Sequence, residues 1–124
     1  MSEIRATTIS DLVGTGPVTL TGQSAAKSWS NFDGTGTIAA RDDYNVSSYT
    51  DNGTGYYGIN LSNSMHNDDY SRSGLCGENN NAGGNRNMGL RLPSTGSYNI
   101  YNGNGSWTAV DVEDVCNAIH GDLA

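Results

Sequence analysis

Residues 51–55, with the sequence Asp-Asn-Gly-Thr-Gly, predict a tight β-hairpin turn. Asn-Gly followed by a second glycine supplies the positive-φ positions that such a turn needs. The flanking segments, 44–50 and 56–61, are rich in Tyr, Val, Thr and Ile, which favour a pleated strand surface. Short strand candidates and Gly/Asn turns recur along the chain, so we expect β-structure throughout.

The composition supports one small β domain with a thin core. Glycine, asparagine, serine and threonine make up nearly half of the 124 residues, and 17 residues are glycine. Asn, Ser and Thr compete with helical hydrogen bonds through their own side chains, so long helices are disfavoured. Only 35% of the residues are hydrophobic. A domain of this size is modestly stable alone, and oligomerisation would add buried apolar area.

The strand candidates predict the fold class. They lie at 27–32, 37–41, 44–50, 56–61, 69–75, 88–92 and 97–101, with turns at 33–36 and 102–105. Their spacing of about ten residues predicts an all-β fold over 25–124, an antiparallel β-sandwich with a jelly-roll-like arrangement.

Two later segments depart from the pattern of short strands and turns. The stretch 77–87 has no apolar residue larger than alanine, which predicts a long exposed loop. The segment 107–120 fits strand alternation through Val115, Asn117 and Ile119, and we favour a central closing strand. A helix stays open as the alternative, because Val112, Val115, Cys116 and Ile119 also fit one helical face.

Residues 1–24 differ from the rest and predict a short extended docking arm. Pro17 cannot donate to a strand ladder, and the neighbouring glycines disfavour a core of the segment's own. The expected docking contacts are the apolar residues Ile4, Ile9, Leu12 and Val13. An ordinary first β-hairpin of the domain is the alternative.

The charge and the termini argue against several classes of partner. The net charge of −7 opposes binding driven by phosphate neutralisation, so we expect no nucleic-acid partner. No apolar run is long enough to span a bilayer, so we expect no membrane insertion. The N-terminal residues lack the basic head and apolar middle of a signal peptide.

The two cysteines and two histidines give no recognisable metal or redox motif. Cys76 and Cys116 lie forty residues apart in the sequence. We favour free thiols, with Cys116 as a small core residue and Cys76 at a strand end or in a loop. His66 and His120 are not spaced with a cysteine or with each other in a ligand pattern.

The sequence also carries no recognisable catalytic motif. Residues 22–28 faintly resemble a phosphate-binding loop, but Ala26 stands where a glycine is needed. The acid pairs at 42–43 and 68–69 are best read as solvated turn residues, because strand neighbours point to opposite faces. There is no Gly-x-Ser-x-Gly elbow.

Five aromatic residues raise the prospect of a binding platform. Tyr56, Tyr57, Tyr98 and Tyr101, with Trp107, could hold sugar rings, supported by amide side chains from the Asn-rich loops. That platform would make a carbohydrate-binding or receptor-binding module. The structural alternative is that tyrosine is simply a favoured, half-buried strand residue.

Residues 25–42 and 45–55 resemble a module of tailed-phage and prophage virion proteins. The shared pattern is Ala-Lys-x-Trp-x-Asn-Phe-x-Gly-Thr-Gly, then Asn-Val-Ser-Ser, then Thr-Asp-Asn-Gly-Thr-Gly. The resemblance is specific over 25–62 and looser beyond. The module is found at the ends of tail fibres and in small virion surface proteins.

The resemblance implies a structural protein of a phage particle, localised to the virion, with no enzymatic activity and no cofactor. A homotrimer that contacts other capsid or tail proteins is the implied assembly. With about 24 residues ahead of the module and no fibrous repeat, a small fibre or tip, or a capsid decoration (cement) protein, fits best. A module that binds a host-surface glycan or receptor is the second hypothesis, and an enzyme comes last.

Overall fold

Two antiparallel sheets stacked as a β-sandwich make up the fold in the computed structural model, which describes residues 25–78, 81–82 and 85–124. The strands are β1 (Ser28–Asp33), β2 (Ala39–Tyr44), β3 (Val46–Asp51), β4 (Tyr56–Leu61), β5 (Ser71–Glu78), β6 (Asn81–Ala82), β7 (Arg86–Arg91), β8 (Ser97–Asn104) and β9 (Asp114–His120). The predicted all-β sandwich is confirmed. The narrower jelly-roll-like arrangement stays a prediction.

The first sheet has five strands in the order β2-β1-β9-β5-β6, so the last strand of the chain lies at its centre. β9 pairs with β1 on one side and with β5 on the other. The strand prediction for the final segment is confirmed for Asp114–His120. Val115, Asn117 and Ile119 face the interior, as strand alternation predicts, and all three are buried.

The second sheet has four strands in the order β3-β4-β8-β7. The predicted hairpin joins β3 to β4, and its turn is closed by the bond from Asn52 N to Tyr56 O at 2.9 Å. Gly53 and Gly55 have φ of 116° and 64°. Gly55 could not be replaced without strain, because an added Cβ would lie 2.5 Å from Asn102 O.

The predicted loop at 77–87 is wrong in part. β5 continues to Glu78, Asn81–Ala82 pairs back onto Gly77 and Glu78, and β7 begins at Arg86. Strand pairing uses backbone groups, so polar and small side chains did not prevent it here. For the same reason β8 runs through Asn104, over most of the turn predicted at 102–105.

The core lies between the sheets and contains more tyrosine than is usual for a buried interior. Its members are Phe32, Tyr57, Ile59, Met65, Tyr70, Cys76, Tyr98, Ile100, Val112, Val115 and Ile119. Burying each large apolar side chain stabilises the fold by about 1.5–3 kcal/mol. The Tyr57 hydroxyl lies 2.8 Å from Gly34 O, and the Tyr98 hydroxyl donates to Asn117 Oδ1. Burial raises the pKa of both hydroxyls, so both stay protonated donors.

The predicted docking arm, residues 1–24, lies outside the described residues. The roles assigned to Ile4, Ile9, Leu12 and Val13 therefore stay predictions, as does the division of the chain into an arm and a domain.

Candidate functional site

Strand alternation gives each sheet one inward and one outward face, and the two outward faces have different chemistry. On the four-stranded sheet the outward residues form three cross-strand rows. These rows are Ser48–Asn60–Ser97, Thr50–Gly58–Asn99–Arg91 and Tyr56–Tyr101–Gly89. We call this surface the tyrosine–asparagine face.

Tyr101 lies at the centre of the aromatic part of this face. The Arg91 guanidinium carbon lies 4.7 Å from the centre of the Tyr101 ring, within the range of a cation–π interaction. Trp107 stacks beside Tyr101 with ring centres 6.3 Å apart and planes inclined by 21°. The Tyr101 hydroxyl also donates to Trp107 O at 2.9 Å. Three contacts thus fix the orientation of the Tyr101 ring.

Tyr56 lies directly opposite Tyr101 on the neighbouring strand. Its hydroxyl accepts a 2.7 Å hydrogen bond from Asn99 Nδ2, which holds the phenol against the sheet. An open groove of about 460 Å³ runs over this part of the face, and its lining residues are Asn52, Gly53, Thr54, Tyr56, Arg91, Leu92 and Tyr101.

Leu92, which lines this groove, and Trp107, which stacks on Tyr101, have unusual backbone geometry. Leu92 has φ of 45° and Trp107 has φ of 60°, and among the described residues the only other non-glycine with positive φ is Asn45. Leu and Trp rarely adopt this conformation, which costs roughly 1–2 kcal/mol. Their side chains are 67% and 51% exposed. The backbone is therefore strained at two places that present large apolar groups to solvent.

The outward face of the five-stranded sheet carries a different surface. Tyr44, Trp29, Ala118 and Ser73 form one cross-strand row, and Asn31, Cys116 and Leu75 form the central part of the next. We call Tyr44, Trp29, Ala118, Cys116 and Leu75 the apolar band. Its three large side chains are well exposed: Trp29 by 36%, Tyr44 by 53% and Leu75 by 61%.

Charged residues border the apolar band on one side. Asp33 and Asp114 lie in the row beyond Asn31 and Cys116, at the ends of their strands. Arg41 bonds Asp114 at 2.9 Å and lies 4.0 Å from Asp33. An apolar centre with a charged rim is the common layout of a protein–protein interface.

Of the five residues predicted to form an aromatic platform, the structure brings three together and separates two, and their role in binding stays a prediction. The structure brings Tyr56, Tyr101 and Trp107 together on one face. It places Tyr57 and Tyr98 in the core, so their assignment to the platform is wrong. The physical reason is alternation: Tyr56 and Tyr57 are neighbours on one strand and must point to opposite faces.

Sequence reasoning missed Arg91 and Leu92 as members of this face. The alternating run 88–92 already held the signal for Arg91, because Met88 and Leu90 point inward and Arg91 must point outward. It held no comparable signal for Leu92, which alternation would turn inward. β7 ends at Arg91, and the positive φ of Leu92 turns its side chain into solvent.

Both cysteines are free thiols, as predicted, but their roles are reversed. Cys76 is the buried core residue, and Cys116 is half-buried on the outward face. The register pairs Cys76 with Val115 and Leu75 with Cys116, so the two sulfurs lie on opposite faces of the sheet. Burial raises the pKa of both thiols, and at Cys116 the neighbouring Asp114 adds to it.

The remaining candidates form no site. His66 is exposed and His120 is half-buried. Within residues 25–78, 81–82 and 85–124, no three His, Cys, Asp or Glu side chains come together as a metal site. The same described residues contain no helix suited to spanning a membrane.

No protein-family model, curated protein or solved structure matches the chain.

Proposed function

We propose that this protein is a non-enzymatic structural component of a tailed-phage virion, either a small trimeric fibre or tip or a capsid decoration protein. The resemblance of residues 25–62 to virion modules supports the class. The structural observation that carries the proposal is the apolar band, which is a surface suited to assembly.

The apolar band is too hydrophobic to be an ordinary solvated face. Trp29, Tyr44 and Leu75 are all exposed on one side of one sheet, and the residues between them are small. Grouped exposed apolar side chains mark interaction surfaces in soluble proteins. Because the core of this domain is thin, burial of the band against another protein also stabilises each chain.

A second and third copy of this chain are the proposed partners of the band. Trimers are what the family resemblance implies, and the two outward faces lie on opposite sides of the sandwich. A trimer assembled through the five-stranded sheet therefore leaves the tyrosine–asparagine face pointing outward. That geometry suits a protein that is fixed to a particle and presents a surface to the medium.

The test is the number of copies of this chain per particle, measured by quantitative mass spectrometry on particles of the phage whose genome encodes it. Near equality with the major capsid protein identifies a decoration protein, and a small fraction of that amount identifies a fibre or tip. Absence from purified particles would overturn the proposal.

A further inference from the structure

The tyrosine–asparagine face has a composition that selects among ligand classes. Its outward strand residues are Ser, Thr, Asn, Gly and Tyr, with Arg91 as the one charged side chain among them. A polyanion would need several cations and would meet a chain of net charge −7. A purely apolar ligand would cover polar atoms that otherwise bond to water, at a cost of about 1–3 kcal/mol for each atom left without a partner. An uncharged, hydroxyl-rich ligand avoids both penalties.

Gly58 is buried, and the amides of Asn52 and Asn99 lie over it. A methyl group placed on Gly58 would lie 3.3 Å from Asn52 Nδ2 and 3.4 Å from Asn99 Oδ1. A hydrogen-bond donor and an acceptor thus converge above one glycine. Because a hydroxyl both donates and accepts, one or two adjacent hydroxyls would satisfy the pair.

Aromatic rings stand beside this pair of amides. Tyr56 lies two residues before Gly58 on the same face of β4, and Tyr101 lies opposite Tyr56 on β8. Hydrogen bonds hold both rings, through Asn99 for Tyr56 and through Trp107 O for Tyr101. Rigid tyrosines next to adaptable amides are efficient binding groups, because little side-chain entropy remains to be lost.

The chemistry of a pyranose ring matches this arrangement. A sugar ring has an apolar C–H face that stacks on aromatic rings and a rim of hydroxyls that bonds to amides and guanidinium groups. Arg91, stacked over Tyr101, offers a fork of N–H donors at the edge of the ring. The strained, exposed Leu92 and Trp107 lie next to Arg91 and Tyr101, where binding sites commonly hold such strain.

We propose that the tyrosine–asparagine face binds a neutral saccharide, with a pyranose ring lying on Tyr56 and Tyr101 and its hydroxyls on Asn52, Asn99 and Arg91. The proposal rests on the proposed function in one respect: a virion protein would use this face to hold a polysaccharide of the host cell surface. The binding chemistry itself does not depend on where the protein is located.

The chain carries its own reporters for the test, because its two tryptophans lie on opposite outward faces. The indole N–H signals of Trp107 and Trp29 in a ¹⁵N correlation spectrum report on the tyrosine–asparagine face and on the apolar band. The full-length protein is titrated with glucose, galactose, mannose, N-acetylglucosamine and glucuronate. We expect at least one neutral sugar to shift the Trp107 signal in a saturable way and to leave Trp29 unchanged.

Matched variants assign the response to the face. Tyr101→Ala should weaken binding about tenfold through loss of ring stacking, and Tyr44→Ala on the opposite face should leave it unchanged. Gly58→Ala adds a methyl group to the strand, and the Asn52 and Asn99 amides must move by a few tenths of an ångström to accommodate it. It should retain the native fold and lose binding, because the methyl group displaces the two amides that would hold the sugar hydroxyls.

Several outcomes would overturn the proposal. These are silence of the Trp107 signal with every sugar, a response to glucuronate alone, equal shifts at both tryptophans, or full binding by Gly58→Ala. Host-cell attachment that is abolished by protease treatment of the cells and unaffected by Tyr101→Ala would point instead to a protein receptor elsewhere on the surface. None of these results changes the number of copies per particle, so failure here is distinguishable from failure of the virion assignment.

Discussion

The two outward faces of this sandwich differ in what they leave exposed. The apolar band offers Trp29, Tyr44 and Leu75 around small residues, with a charged rim. The tyrosine–asparagine face offers hydroxyls, amides and two hydrogen-bonded tyrosine rings. The same strand geometry thus produces one surface that water solvates poorly and another that is rich in hydrogen-bonding groups. We infer that the first assembles the protein and the second binds a ligand.

Disrupting the apolar band should produce the largest effect. Leu75→Asp places a charge within the apolar band, where burial without a partner is strongly unfavourable. We expect the mass in solution to fall from three times the chain mass of 13.0 kDa to that of one chain. Sedimentation equilibrium measures this change.

The control for Leu75→Asp is Thr50→Asp, an equivalent charge on an exposed strand position of the opposite face. It should leave the trimer intact. A trimer that survives Leu75→Asp, or that is lost with Thr50→Asp, would contradict the assignment of the faces.

The two cysteines offer a second way to sharpen the comparison. Cys116 lies on the apolar band, and Cys76 lies in the core on the other side of the same sheet. Burial raises both pKa values, so less thiolate is present near pH 8 and both should react more slowly than an ordinary thiol. Reaction with the disulfide reagent dithiobis(nitrobenzoate), followed by the release of thionitrobenzoate, should show slow labelling of Cys116. Cys76 should not be labelled before the protein unfolds.

Dissociation of the trimer should change only one of these rates. In Leu75→Asp, Cys116 should react faster because the neighbouring copy no longer covers it, and Cys76 should be unchanged. Equal acceleration at both cysteines would mean that the substitution unfolds the domain.

Asparagine should change the free energy of unfolding moderately and in opposite directions at two exposed leucines, because only one of them has a strained backbone. Leu92→Asn places a residue that tolerates positive φ at a strained site, and we expect it to raise the free energy of unfolding by up to about 1 kcal/mol. Leu75→Asn, in a regular strand, should lower it, since asparagine is a poor strand residue. Denaturant titration measures both, and a loss of stability with Leu92→Asn would contradict the strain argument.

The smallest predicted effect concerns acid stability at the turn after β1. The Thr35 hydroxyl and backbone N–H bond Asp33 Oδ1 at 2.6 and 2.8 Å and lower the pKa of this carboxyl below 3.8. A lowered folded-state pKa contributes stability at higher pH that is lost as the pH falls through that value. Thr35→Val should therefore reduce stability slightly at neutral pH and converge with wild type in strong acid. A difference in stability between Thr35→Val and wild type that stays constant at all pH values would exclude the Asp33 carboxyl as its cause.

Much of the fold could be predicted because its signals are local. Residues 51–55 define a hairpin turn because their glycines allow positive φ whatever packs around them. Alternation at 114–120 identified which residues of β9 face the core. The pairing of Asn81–Ala82 could not be predicted, because polar residues form a ladder only when a partner strand is supplied by tertiary structure. The roles of the two cysteines could not be predicted for the same reason. The register of strand pairing, which depends on tertiary structure, decides which cysteine faces the core.

The residues of the tyrosine–asparagine face could be predicted only in part. Tyrosine and asparagine abundance indicated a platform, and Tyr56, Tyr101 and Trp107 belong to it. Adjacent tyrosines cannot share a strand face, a rule that already separates Tyr56 from Tyr57. The position of Leu92 depends on its positive φ, and Asn52 reaches Gly58 from the hairpin turn; neither follows from periodicity.

The most direct test of the difference between the two faces is the solvent exposure of Trp29 and Trp107 in the assembled protein. A soluble paramagnetic probe broadens the indole N–H signals of side chains that solvent can reach. In the isolated chain both indoles are substantially exposed. We predict that in the trimer the Trp29 signal is protected and the Trp107 signal is strongly broadened. Equal broadening of both signals, or protection of Trp107 alone, would contradict the account.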